Sequence, residues 1–164
     1  MILELHEDER GWFARTFCRE EFAAQGTEME IAQSNTSFSE RAGTLRGMHY
    51  QREPHAEQKL VRCLSGAIFD AVLDIRDGSP TRGDWFGTEL RAGDGRMIYV
   101  PKGFAHGFQT LMDGTEVSYL VSHPYTPEAE GGVRWDDPAI GIAWPDAAER
   151  TISDRDRELP FLDP

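Results

Sequence analysis

The segment Gly43-Thr44-Leu45-Arg46-Gly47-Met48-His49-Tyr50-Gln51 sets an arginine, a histidine, a tyrosine and a glutamine within six residues. If it is a strand, alternation puts Gly47, His49 and Gln51 on one face and Arg46, Met48 and Tyr50 on the other. A bulge at Gly47 would change that division. A neutral histidine is the natural proton acceptor near pH 7, because its unperturbed pKa is about 6.5. The alternative is a structural ring satisfied by a backbone carbonyl.

Four further places hold residues of the same kind. Pro101-Lys102-Gly103-Phe104-Ala105-His106-Gly107-Phe108 sets His106 between two aromatics, with glycines that suit a sharp bend or a close backbone approach. That pattern also fits a packed barrel corner. Tyr119, in Val117-Ser118-Tyr119-Leu120-Val121, is either a proton donor or a packing residue with a hydrogen-bonded hydroxyl. Lys59 opens the run KLVRC; it either snorkels to solvent or points inward, where it needs a ligand oxygen or a carboxylate as partner. Asp156, in Ser153-Asp154-Arg155-Asp156, is a solvated tail charge unless it folds back onto a histidine and orients the ring. A metal site needs three or four convergent ligands. His49 has no second histidine two positions on, so His49 and His106 leave such a set deficient and no metal is expected.

The elements that must position these groups read mostly as strands. Lys59–Leu64, Ala67–Ile75, Asp84–Leu90, Arg96–Val100, Gly107–Leu111 and Glu116–Ser122 follow one another, separated by Gly-, Pro- and Asp-rich turns. Short strands about 8–12 residues apart with turn signals indicate an all-β sandwich or barrel. Ala67–Ile75 alternates only in part, which fits a strand covered on both faces. Residues 17–26 read as a short helix closed by Gly26, and the rest of the first third as polar and irregular. After residue 124 come Pro124, Pro127, Pro138, Pro145, Pro160 and Pro164, a tail of short helical turns rather than long elements. No repeat, linker or low-complexity tract divides the chain, so 1–164 reads as a single domain.

Composition narrows the partners. Hydrophobic residues are 39% and charged residues 28%, which is ordinary for a globular chain. Seventeen Lys and Arg against 29 Asp and Glu give a formal charge of −12. Such a surface repels a phosphate backbone and an anionic membrane. It leaves room for a small anionic ligand, because a few local cations dominate one pocket. No apolar run approaches the ~20 residues of a membrane span. MILELHEDERGW lacks the basic and apolar regions of a secretory signal. Cys18 and Cys63 form no CxxC and read as free thiols of a reducing cytoplasm.

Taken together, Asp8-Glu9-Arg10-Gly11-Trp12-Phe13, Gln33-Ser34-Asn35-Thr36-Ser37, LRGMHYQ at 45–51, KLVRCLSGAIFDAVLDIRDGSPTRGDW at 59–85, PKGFAHGF at 101–108 and the tail from Tyr125 to Asp156 resemble the dTDP-4-dehydrorhamnose 3,5-epimerases, a deoxysugar-epimerase branch of the cupins. The resemblance runs from residue 8 to about 160. It implies a metal-free cupin-type jelly-roll β-barrel with short helical turns near both ends, acting as a homodimer and without a cofactor on a nucleotide-linked 4-keto-6-deoxyhexose. It places the catalytic base on His49, its partner on Asp156, the enolate-binding cation on Lys59 and the acid on Tyr119. It assigns substrate contacts to Arg10, Phe13, Gln33, Asn35, Arg46, Gln51 and His106, with the N-terminal segment acting partly across the dimer. The chemistry is coherent with those residue types. A proton beside a ketone is acidic only when the enolate is stabilised, and Lys59 supplies a cation for the oxyanion. His49 would take the proton, and inversion then requires a donor on the other wall, for which Tyr119 is the candidate.

Overall fold

Alternating side chains give a strand one face for the core and one for solvent, and a second covering layer is needed where both faces are apolar. The computed structural model follows this rule and describes residues 1–163; Pro164 of the tail lies outside the described residues. In chain order the elements are β1 (His6–Asp8), β2 (Gly11–Phe13), α1 (Arg19–Ala24), β3 (Gln33–Ser39), β4 (Leu45–Gln51), β5 (Lys59–Ser65), β6 (Ala67–Asp74), β7 (Trp85–Arg91), β8 (Ile98–Val100), β9 (Phe104–Thr110), β10 (Thr115–Val121), a 3₁₀ turn (Pro127–Ala129), β11 (Glu130–Gly132) and α2 (Asp154–Arg157). Two antiparallel sheets form the body, one in the order β3-β10-β5-β8 and the other β11-β4-β9-β6-β7. β1 and β2 pair only with each other, as a separate hairpin. The expected all-β jelly roll is the observed architecture.

The core lies between the sheets. Val61 and Cys63 of β5, Ile98 and Val100 of β8 and Val117 of β10 meet Ile68 and Val72 of β6, Leu90 of β7 and Phe108 of β9. The outer face of the five-stranded sheet is not bare. Met48, Ala71, Leu73 and Ala105 pack there against Val133, Ile140, Ile142, Trp144 and Leu162 of the proline-rich tail. This is why β6 does not alternate: Leu73 on one face and Ile68 on the other are both fully buried. Each such side chain contributes roughly 1.5–3 kcal/mol by leaving water. The other sheet is covered outside by Phe22 of α1, Met29 and Phe17, which pack on Leu60, Met97 and Leu120.

Three sequence expectations change. β3, QSNTSFS, is a full seven-residue strand within the third read as irregular. β9 begins at Phe104 rather than Gly107, so His106 lies within a strand and not at a corner. The faces of β4 also differ from strict alternation, because its register against β9 shifts between Arg46 and His49. Gly47 sits at that shift with φ +129°, and a Cβ on it would stand 2.5 Å from the Gly107 Cα. Two glycines therefore let β4 and β9 approach closely. As a result Arg46, expected on the face opposite His49, lines the same cavity as His49.

No helix among the described residues is long and apolar enough to cross a membrane.

Candidate active site

His49 projects from β4 into the space between the sheets, and its Nε2 lies 2.7 Å from Asp156 Oδ1. A carboxylate only accepts, so Nε2 donates and Nδ1 is left as the basic nitrogen of a neutral ring. Asp156 comes from the one-turn α2. Ser153 is the N-cap, and its Oγ accepts the Asp156 backbone N–H at 3.1 Å. The cap fixes where the carboxylate emerges. The second oxygen of Asp156 accepts the Gly47 N–H at 3.2 Å. Burial pushes the Asp156 carboxyl up, but the bond to His49, the His49 charge, the Gly47 N–H and the Ser153 hydroxyl outweigh it, and the net shift is downward.

Lys59 and Tyr119 stand on the facing sheet. Lys59, at the start of β5, is 9% exposed, and its Nζ lies 3.2 Å from Glu57 Oε1 and 3.4 Å from the His49 carbonyl oxygen. The inward-pointing lysine has the carboxylate partner its burial requires. Tyr119, in the middle of β10, pairs with Asn35 on one side and Val61 on the other. Burial pushes its phenol up, the Glu57 charge adds to this, and Arg46 opposes it.

His106 is the register partner of His49 across β4 and β9. Its Nε2 lies 2.9 and 3.0 Å from the two oxygens of Asp70, a β6 residue that is fully buried.

The cavity has two lobes. One of about 480 Å³ is lined by Gln33, Asn35, Gln51, Glu57, Tyr125 and Glu130. The other, about 610 Å³, is lined by Ser37, Arg46, His106, Phe108, Arg155 and Asp156. His49, Lys59 and Tyr119 line both and so mark their junction. A substrate with two unlike halves fits such a shape, with its reacting atoms at the junction.

The remaining candidates divide. Gln33 and Asn35 stand at the β3 wall, and Gln33 Oε1 accepts the Tyr125 N–H at 2.8 Å. Arg46 reaches the Phe38 carbonyl at 3.2 Å and keeps its place on the lining. Gln51 borders the cavity but serves as a strut. Its Nε2 donates to the His55 and Pro124 carbonyls at 3.1 and 3.3 Å, and its Oε1 accepts the Thr126 N–H at 2.6 Å. Arg10 and Phe13 are not brought to this cavity within the single chain. Arg10 is exposed on the β1–β2 hairpin and paired with Asp8, and Phe13 borders a separate groove with Phe17 and Tyr99. The hairpin pairs with neither large sheet, and neither residue lines the cavity around His49.

Glu57 and Asp70 were not among the candidates, although each left a signal. Lys59 demanded an anion, and a glutamate stands two residues before it. Asp70 is a charge inside the apolar run AIFDAVLD, which is tolerated only with a buried partner. The Ser153…Asp156 spacing is likewise a helix-start signature. Among the described residues, no three His, Cys, Asp or Glu side chains are grouped to hold a metal ion.

Comparison with known proteins agrees with this geometry. Residues 1–163 match the family model described as dTDP-4-dehydrorhamnose 3,5-epimerase. The chain is 46% identical over 155 residues to the dTDP-4-dehydrorhamnose 3,5-epimerase of Sinorhizobium fredii, covering 94% of this chain and 80% of that one. The crystal structure of the Bacillus anthracis dTDP-4-dehydrorhamnose 3,5-epimerase, with TDP and PPi bound, superposes with a TM-score of 0.94 at 40% identity, covering 98% of this chain and 91% of that one. A variant of ChmJ, a 3'-monoepimerase from Streptomyces bikiniensis in complex with dTDP, gives 0.91 at 38% identity, covering 98% and 81%. In that variant one histidine and one tyrosine are replaced, the same residue types and the same 70-residue spacing as His49 and Tyr119. With the jelly roll, the two-walled cavity and a match along the described chain, this protein belongs to the dTDP-4-dehydrorhamnose 3,5-epimerase family.

Proposed function

We propose that the chain inverts C3 and C5 of a dTDP-linked 4-keto-6-deoxyhexose, removing a proton beside the ketone and returning one from the opposite face. The observation that supports this best is the division of groups between two walls of one cavity. His49 with Asp156 stands on the five-stranded sheet, and Lys59 with Tyr119 on the four-stranded sheet. His49 acts as base through Nδ1. Asp156 holds the tautomer and stabilises the imidazolium that forms. Lys59 places a cation on the developing oxyanion in a part-buried cavity, where water competes little. Tyr119 returns the proton from the other wall. Its phenol, pushed up by burial, stays protonated near neutral pH and is available as an acid.

Arg46 meets the diphosphate, and Gln33, Asn35 and His106 contact the sugar and nucleotide. Arg10 and Phe13 act in a homodimer, in which the β1–β2 hairpin of one protomer reaches the cavity of its partner. The 164 residues form one catalytic domain that works in the cytoplasm. The scheme uses no cofactor, since both proton transfers are made by side chains.

Solvent exchange tests the reading. The protein is incubated in D2O with dTDP-4-keto-6-deoxyglucose, and C3 and C5 are read by proton NMR and mass. Deuterium at both carbons with inverted product is expected. The likeness to ChmJ favours inversion at C3 alone as the second reading. Deuterium at C3 alone selects that reading, and no exchange at either carbon overturns both.

A further inference from the structure

A lysine ammonium carries three N–H donors and no acceptor. At Lys59 one N–H donates to the His49 carbonyl at 3.4 Å, and the ammonium as a whole is ion-paired with Glu57 Oε1 at 3.2 Å. The Lys59 and Glu57 side chains are each 11% exposed, so water does little to screen the pair. Glu57 is itself held, because its other oxygen accepts from Gln51 Nε2 at 3.3 Å. Gln51 is in turn bonded to the backbone at His55, Pro124 and Thr126. The ammonium is therefore held by an ion pair to the loop before β5 and by a hydrogen bond to the strand that carries the base, with N–H groups left for a ligand.

We infer that Glu57 is a positioning residue for the epimerisation: its carboxylate anchors the Lys59 ammonium so that a free N–H is presented to the substrate oxygen. The inference rests on the proposed role of Lys59. The arrangement has a cost and a compensation. A carboxylate beside Lys59 offsets part of the charge available to the enolate, while the fixed geometry removes the reorganisation a free lysine chain would need. The same negative charge bears on Tyr119, where it favours the neutral phenol over the phenolate.

The other groups facing the cavity space that Tyr119 borders are Lys59 on β5, Arg46 and His49 on β4, and His106 on β9. Tyr125 and Glu130 stand on one side of it, with Arg155 and Asp156 of α2 on the other. Glu57 and Arg46 are the two whose charges act on the phenol, in opposite senses. Removing the Glu57 charge leaves burial as the one influence opposing Arg46, so the phenol ionises at lower pH than in wild type.

The test is the pH profile of kcat for wild type, Glu57→Gln and Glu57→Asp, with the D2O exchange assay as readout. Glu57→Gln keeps the shape and an oxygen for Gln51 but removes the charge. It is expected to lower kcat by roughly tenfold to a hundredfold, the range for a misplaced catalytic group, with KM changed less. Its alkaline limb should move to lower pH. Glu57→Asp draws the carboxylate back from Lys59 but keeps a charge near Tyr119, so kcat falls while the alkaline limb stays at its wild-type position. Wild-type kcat in either variant overturns the inference. So does an equal loss in both with the limb unmoved in both, which a merely structural role would produce. If only Glu57→Asp folds, a lowered kcat with KM unchanged supports the inference and wild-type kcat refutes it. Exchange by the wild type separates this outcome from failure of the proposed function, which shows as no exchange at all.

Discussion

His49 and His106 face each other as register partners on β4 and β9, and each directs Nε2 at a carboxylate. Their surroundings differ. The His49 side chain is 30% exposed, and its Asp156 arrives from α2, 107 positions later in the chain. The His106 side chain is 9% exposed, and its Asp70 comes from the neighbouring strand of the same sheet. One pair is assembled where the barrel meets its tail and opens on the junction of two lobes. The other is built into the wall. A ring that must gain and lose a proton on every turnover needs access to the substrate and a partner that favours the charged form. A ring that only contacts a substrate from the wall needs fixed geometry. The same two residue types serve either purpose, and exposure and the origin of the carboxylate distinguish them.

The comparison is broken most directly at its catalytic side. Replacing His49 with Asn is expected to lower kcat by roughly 10³-fold while unfolding stays cooperative, because general-base catalysis commonly contributes that much. Steady-state epimerisation alongside thermal unfolding checks it, and a wild-type rate would remove His49 from the chemistry. Asp156→Asn should cost less, on the order of 10²-fold in kcat, since the base remains but its tautomer and imidazolium lose their support. On the wall side the balance reverses. Asp70→Asn is expected to cost about 1–3 kcal/mol of stability in urea unfolding, as a buried hydrogen-bonding group loses its matched partner, with kcat changed only a few-fold. A large loss of kcat without loss of stability would make the two pairs equivalent.

The smallest effect is one of pH. The Asp156 carboxyl lies below its ordinary value of about 3.9 in the folded state. A depressed acid contributes stability that is present above the unfolded-state value and is lost as pH falls through the folded one. The stability advantage of wild type over Asp156→Asn should therefore hold at about pH 6 and shrink below about pH 4. An advantage independent of pH would mean that the carboxylate charge is not what matters there.

How much of this was legible in the sequence depended on what each strand faces. β5, β6 and β10 bury apolar side chains on the inside and show themselves by pattern. β3 faces a polar cavity with Gln33, Asn35 and Ser37, so its inward row carries no apolar signal and it read as irregular. Gly107 read either as a bend or as a close backbone approach, and the second holds: it lies inside β9, where its lack of a side chain admits β4. The same contact hid the true face of Arg46, because alternation assumes an unbroken register. Of the site, His49, Lys59, Tyr119 and Asp156 were identified and converge. Glu57 and Asp70 were missed because each is a counter-charge, visible only when one asks what a buried cation or a buried ring leans on. Arg10 and Phe13 sit on a hairpin that pairs with neither large sheet, and neither residue lines the cavity around His49.

The tail that covers the five-stranded sheet also carries Asp156. It is joined to the barrel by the bridge between Thr44 and Thr151 and by the Arg134 N–H on the Pro160 carbonyl. Every strand of the barrel precedes the carboxylate in the order of synthesis. On the ribosome the barrel emerges first, and the orienting partner of the base arrives only when the last turns of the chain dock. A nascent or clipped chain lacking the tail leaves His49 without its carboxylate and the outer face of the five-stranded sheet uncovered. Covering the five-stranded sheet and pairing His49 with its carboxylate are thus one docking event.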